Sequence, residues 1–177
     1  MLIESFFIYL QMELKQYSEL AHSFVSYEEN DYPYFLLVEE IGEYAGKIAK
    51  LKRGDYSYSE NYRLEILKEL GDICWALNEI AILHNCFIES NFFKKVKGLR
   101  NIIKNNLNNL EKHTLFLEMQ TNLLIENNYN SFYNYFGLID VISREYNSSI
   151  EEIFEMNIKK LTDRKNRGKI KGNGDNR

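Results

Sequence analysis

Val38-Glu39-Glu40-Ile41-Gly42-Glu43 and, after a spacer, Lys68-Glu69-Leu70-Gly71-Asp72 are the stretches that decide how this chain is read. Each sets acidic residues three apart inside an apolar helical pattern, and residues three apart share one face of a helix. Glu40 and Glu43 therefore point one way from one helix, and Glu69 and Asp72 one way from the next. The 25 residues from 44 to 68 let two helices fold back antiparallel, with Gly54-Asp55 near the middle. Four carboxylates would then meet. They repel one another, and a buried, unpaired carboxylate is costly, so a cation is expected among them. An all-oxygen donor set favours hard ions, Mg²⁺ or Mn²⁺, over zinc. The competing reading is of two solvated acidic helix faces.

Outward from these motifs the chain reads as helices. Pro33 suits the first turn of the helix that carries Glu40, Asp31 favours its positive end, and Gly54 stops it after Lys50, Lys52 and Arg53. Leu37, Ile41, Tyr44, Ile48 and Leu51 form its core stripe, with Glu40, Glu43 and Lys47 beside it. Ser57-Tyr58-Ser59-Glu60 fits a capping box for the next helix, whose stripe is Leu67, Leu70, Cys74, Leu77 and Ala81. Glu65 reads as a solvated glutamate and Trp75 as a core residue. An earlier helix is expected over about 3–26, from Phe6, Leu10, Leu14, Tyr17, Ala21 and Phe24. Glu19-Leu20-Ala21-His22 spells the Glu-x-x-His of diiron bundles, but such a site needs a second copy and the sequence has none, so His22 reads as structural.

Residues 90–127 read as an inserted pair of helices, from Phe92, Val96, Leu99, Ile103 and Leu110, then Leu115, Met119 and Leu123. The segment is rich in asparagine and repeats no acidic motif. A further helix is expected over about 131–146, and Ser148-Ser149-Ile150-Glu151 is a second capping box. On the helix that it opens, Asn157, Lys160 and Arg164 fall at i, i+3 and i+7, on one face. Lysine and arginine there suit phosphate oxygens; the alternative is a solvated basic face.

One proline and 45% hydrophobic residues fit an all-α chain, and 177 residues suit a single domain with a proper core. The net charge of −4 argues against general nucleic-acid binding. The charge is uneven, with eight lysines and arginines in the last nineteen residues. An acidic body with a basic end suits a metal–phosphate ligand held between them. Cys74 and Cys86 fit no metal spacing and read as thiols of a reducing cytosol. No signal peptide or membrane-spanning run is expected. The histidines, 22, 84 and 113, lie away from the motifs.

Together Glu39-Glu40-x-x-Glu43, Glu69-x-x-Asp72 and Asn157-x-x-Lys160-Leu161-x-x-Arg164 resemble the motifs of the MazG-type, all-α nucleoside triphosphate pyrophosphohydrolases. The ending, Arg167-Gly168 and then Gly172 to Arg177, is similar to the tail of phage-type members, whereas about 87–129 matches nothing in that family. The resemblance implies one helical-bundle domain over 1–177, with 90–127 as an inserted helical hairpin and 168–177 as a basic, glycine-containing tail. It implies Mg²⁺, or Mn²⁺, on Glu40, Glu43, Glu69 and Asp72, with Glu39 behind them or positioning the water. Lys160 and Arg164 would meet the phosphates and Asn157 a sugar hydroxyl or phosphate oxygen. Gly172, Gly174 and Asp175 would close over the triphosphate. The products would be a nucleoside monophosphate and pyrophosphate, and the enzyme a cytoplasmic dimer or tetramer. Two other classes stay open: a non-catalytic nucleotide-binding or regulatory protein, and an assembly module built around 90–127.

Overall fold

Local signals place the helix ends. Gly54 closes one helix in the left-handed region at φ 86°, where its amide donates to the Leu51 carbonyl, and Ser149 opens another through a reciprocal capping box with Glu152. The computed structural model describes residues 12–86, Gly98, 109–126 and 132–169. Among the described residues there are six helices and no strand: α1 Leu14–His22, α2 Tyr32–Arg53, α3 Glu60–Leu83, α4 Asn109–Leu124, α5 Phe132–Glu145 and α6 Ile150–Asn166. The described part of the chain is all-α, as the sequence indicates. No described helix is long and apolar enough to cross a membrane.

Both expected capping boxes shift. The cap of α3 is Ser59, not Ser57, with its hydroxyl accepting from the Tyr62 amide. Glu60 thereby becomes the first helical residue and pairs with Arg63 instead of folding back on the cap. For α6 the box moves one residue on, from Ser148/Glu151 to Ser149/Glu152, and the Ser148 hydroxyl also donates to Glu152. In each case two neighbouring serines compete and the packing of the helix selects one. Asp31 stands at the N-cap of α2 without a side-chain capping bond. The described first helix ends at His22, short of 26.

α2 and α3 lie antiparallel: Lys47 reaches back to Glu65 and Glu69, and the Tyr62 hydroxyl donates to the Lys47 carbonyl. α6 runs alongside α3 in the same direction, with Arg63 near Tyr146 at one end and Asp72 meeting Asn157 and Lys160 further on. α1 closes this corner. Its Tyr17 stacks on Phe154 at 4.1 Å between centroids, and Trp75 Nε1 donates to the Ala21 carbonyl. Trp75 packs against the core but keeps one side on a cleft.

One hydrophobic core runs through all six helices, including Leu37, Ile66, Leu70, Leu77, Ile139 and Phe154. Each such side chain, fully buried, contributes about 1.5–3 kcal/mol. α4 belongs to it: Phe116, Met119 and Leu123 are buried against α2 and α5. Only this one helix of the expected 90–127 hairpin is described. Leu110, read as part of the hairpin's first helix, sits on α4 and is exposed. Phe6, Leu10, Phe92, Val96, Leu99, Ile103, Gly172, Gly174 and Asp175 lie outside the described residues.

Candidate metal centre

The facing polar stripes of α2 and α3 build the site. Antiparallel packing brings Glu40 and Glu43 of α2 to Glu69 of α3, one oxygen from each lying within 4.8 Å of the others. Asp72 does not join this triangle. It stands beside it, and its charge is the foremost among the neighbouring groups that raise Glu40. α6 meets it there: Asn157 Nδ2 donates to Asp72 Oδ1 at 3.1 Å, and Lys160 forms an ion pair with Asp72 Oδ2. Two donors thus hold Asp72 on the α6 side of the seam.

The electrostatics follow from that division. Desolvation pushes the Glu40 carboxyl up to about 9, reinforced by Asp72 and Glu69 and then Glu43, and opposed by Lys160. Desolvation also raises Glu69, to about 7; the Lys47 ammonium opposes it, while Asp72 and Glu43 add to it. Glu43 and Glu39 are exposed on α2. In the absence of a cation the triangle therefore holds protons near neutral pH, so cation binding there would displace them.

The donor set fits a small hard ion. In an octahedral Mg²⁺ shell with bonds of about 2.1 Å, ligand oxygens lie roughly 3–4 Å apart. Side-chain oxygens within 4.8 Å reach that spacing through small rotamer changes. All donors are carboxylate oxygens, which matches Mg²⁺ or Mn²⁺ and not zinc.

The basic motif arrives differently from its sequence reading. Asn157 is 2% exposed and uses both ends of its amide, the second accepting from the Tyr17 hydroxyl at 3.0 Å. It holds Asp72 and Tyr17 instead of facing a ligand. Lys160 is four-fifths buried on Asp72. Arg164 remains available: it lines a cleft of about 60 Å³ with Glu40, Asp72, Trp75, Tyr32 and Phe24.

Two residues, Lys47 and Gly71, escaped the sequence reading as site components. Lys47 lies 3.2 Å from Glu69 and 3.4 Å from Glu65, a resident cation at the far edge of the triangle; its position four after Glu43 was the signal. Glu65 is accordingly an ion-paired residue, bound also to Lys68. Gly71 lets α6 approach, since a Cβ there would lie 3.2 Å from the Asn157 Cβ. Glu79, seven residues beyond Asp72 on the same face, is 1% exposed and bonded to His22, Tyr27 and Asn78.

No family model, curated protein or solved structure matches the chain. Cys74 is buried and Cys86 partly so, both as free thiols.

Proposed function

We propose that the protein is a Mg²⁺- or Mn²⁺-dependent nucleoside triphosphate pyrophosphohydrolase of the MazG type. One observation carries the reading: the two acidic helices converge on a carboxylate triangle, and the basic motif of α6 docks on Asp72 at its flank.

In this reading Glu40, Glu43 and Glu69 hold the metal and Asp72 flanks it toward Arg164. The bound ion would neutralise phosphate charge and acidify water. Glu39, exposed next to Glu40, orients the attacking water and takes its proton. The α–β phosphoanhydride bond breaks, and pyrophosphate carries away the bridging oxygen. Arg164 stabilises the charge on the phosphates through its planar fork. Lys160 shares its ammonium between Asp72 and a phosphate oxygen, and Asn157 keeps Asp72 in place. Assembly into a dimer or tetramer belongs to the same proposal.

The test is pyrophosphate release from a panel of canonical and damaged ribo- and deoxyribonucleoside triphosphates with Mg²⁺. Metal-dependent release that chelation abolishes is expected for at least one. A second reading has its own support: Lys47 and Lys160 already neutralise Glu69 and Asp72, as in a purely structural network. A non-catalytic nucleotide-binding protein would bind members of the panel and release nothing.

A further inference from the structure

We propose that the pocket at the α2–α3 turn binds the nucleoside half of the substrate and determines which base is accepted. The inference rests on the pyrophosphohydrolase reading of the carboxylates. The pocket, about 380 Å³, is lined by Lys47, Tyr56, Ser57, Asn61, Tyr62 and Glu65 among others. Its place comes first. Lys47 lines it and also touches Glu69, so the pocket opens one side chain away from the carboxylate triangle. The triangle thus lies between two openings along the α2–α3 seam, the Arg164 cleft on the α6 side and this pocket on the turn side.

Size divides the substrate between them. Small-molecule pockets run to about 300–1,000 Å³. The Arg164 cleft, at about 60 Å³, is too small for a base and sugar but admits phosphate oxygens. The turn pocket falls within the ligand range.

Its chemistry agrees. Tyr56 is 55% exposed, a large ring left in water at the pocket wall, and Tyr58 is similarly exposed close by. Both neighbour Tyr62, at 6.2 and 6.5 Å between centroids. Tyr62 is fixed by its hydroxyl on the Lys47 carbonyl and by its amide on Ser59, so the wall is preformed. Every base offers a π-face, and stacking on an aromatic side chain is favourable whatever the base. Asn61 is exposed beside these rings and carries both donors and an acceptor for a base edge, and Ser57 adds a hydroxyl. Lys47 is committed to Glu65 and Glu69, so the pocket does not offer it as a phosphate clamp.

The experiment uses the triphosphate that the wild type hydrolyses fastest, with inorganic tripolyphosphate as a competitive inhibitor that lacks a nucleoside. Tyr56→Ala should raise KM for the nucleotide at least tenfold and leave the tripolyphosphate inhibition constant within twofold. Arg164→Ala should weaken tripolyphosphate at least as much as the nucleotide. Tyr56→Phe should restore wild-type KM, because the ring and not the hydroxyl stacks. Asn61→Ala should change the ratio of kcat/KM between uracil- and adenine-bearing triphosphates fivefold or more. If Tyr56→Ala leaves KM within twofold, or weakens tripolyphosphate equally, the pocket is not the nucleoside subsite, while the catalytic reading stands. If the wild type releases no pyrophosphate from any nucleotide, the catalytic reading fails and this inference with it.

Discussion

Helix α3 buries carboxylates in two places, with opposite results. Glu79 is 1% exposed and is surrounded by donors: the Tyr27 hydroxyl at 3.1 Å, Asn78 Nδ2 at 3.0 Å and His22 Nδ1 at 2.8 Å. Glu69, ten residues earlier, faces Glu40 and Glu43, and Lys47 is the cation at its edge. A carboxylate met by donors is a finished structural unit. Carboxylates that are desolvated and met mainly by one another hold their protons tightly, and in the proposed function a cation takes the protons' place.

Paired substitutions test that contrast. The largest effect is expected at the triangle. Glu40→Gln, nearly isosteric, should lower metal-dependent pyrophosphate release by about a hundredfold or more, a loss of roughly 3 kcal/mol or more of transition-state stabilisation. The same change removes a buried carboxyl that must hold a proton the unfolded chain releases, and should raise the metal-free melting temperature by a few degrees. Opposed effects of this kind mark a functional site. Loss of both stability and activity would make Glu40 a structural residue like Glu79.

Next in size is Gly71→Ala. The added methyl presses on Asn157 and moves the Asn157–Asp72–Lys160 contacts. Turnover should fall roughly tenfold to a hundredfold, as misplacement by about 1 Å can cause, with helix content by circular dichroism unchanged. Unchanged turnover would show that Asp72 needs no positioning by α6.

At the other end of α3, Glu79→Gln should cost about 1–3 kcal/mol, because buried donors lose a charged acceptor. At roughly 2–4 °C per kcal/mol the melting temperature should drop by several degrees. The metal dependence of turnover should stay as in the wild type. A change in metal affinity would join Glu79 to the site and erase the contrast.

The remaining test is the pH dependence of metal-free stability. Glu40 and Glu69 titrate higher folded than unfolded, near 9 and 7 instead of about 4.5. Between about pH 4.5 and those values the folded chain holds protons that the unfolded chain has lost. Their contribution is therefore full at low pH and declines as pH rises, over about 4.5–7 for Glu69 and on toward 9 for Glu40. The melting temperature should fall steadily from pH 5 to pH 8 without metal, and saturating Mg²⁺ should flatten the slope. An identical slope with and without the ion would separate these protons from cation binding.

How much of this was legible beforehand depends on the range of the interactions. The helices, the α2–α3 hairpin and the convergence of Glu40, Glu43 and Glu69 follow from period and spacing, because those signals are local. The partners of Asp72 do not. Asn157 and Lys160 lie 85 and 88 residues away, and their face on α6 reads from sequence as open to a ligand. Tyr17, 140 residues from Asn157, completes that anchor from α1. Nothing local marks Glu79, whose partner His22 comes from 57 residues away. The caps missed by one or two positions for a local reason, namely duplicated serines. Leu110, Phe116 and Met119 divided between surface and core as the α2–α4 contact dictated, which periodicity in an asparagine-rich segment does not reveal.

The central claim is that Glu40, Glu43 and Glu69 form one cation site. The most direct measurement is calorimetric titration of the chelator-treated protein with Mn²⁺ and Mg²⁺, for the wild type and for Glu43→Gln. Glu43 is exposed, so this variant keeps the fold. Saturable binding with proton release near pH 7 is expected in the wild type, from the protons held on the triangle, and should be at least tenfold weaker in Glu43→Gln. No saturable heat in the wild type, or equal affinity in the two proteins, would contradict it.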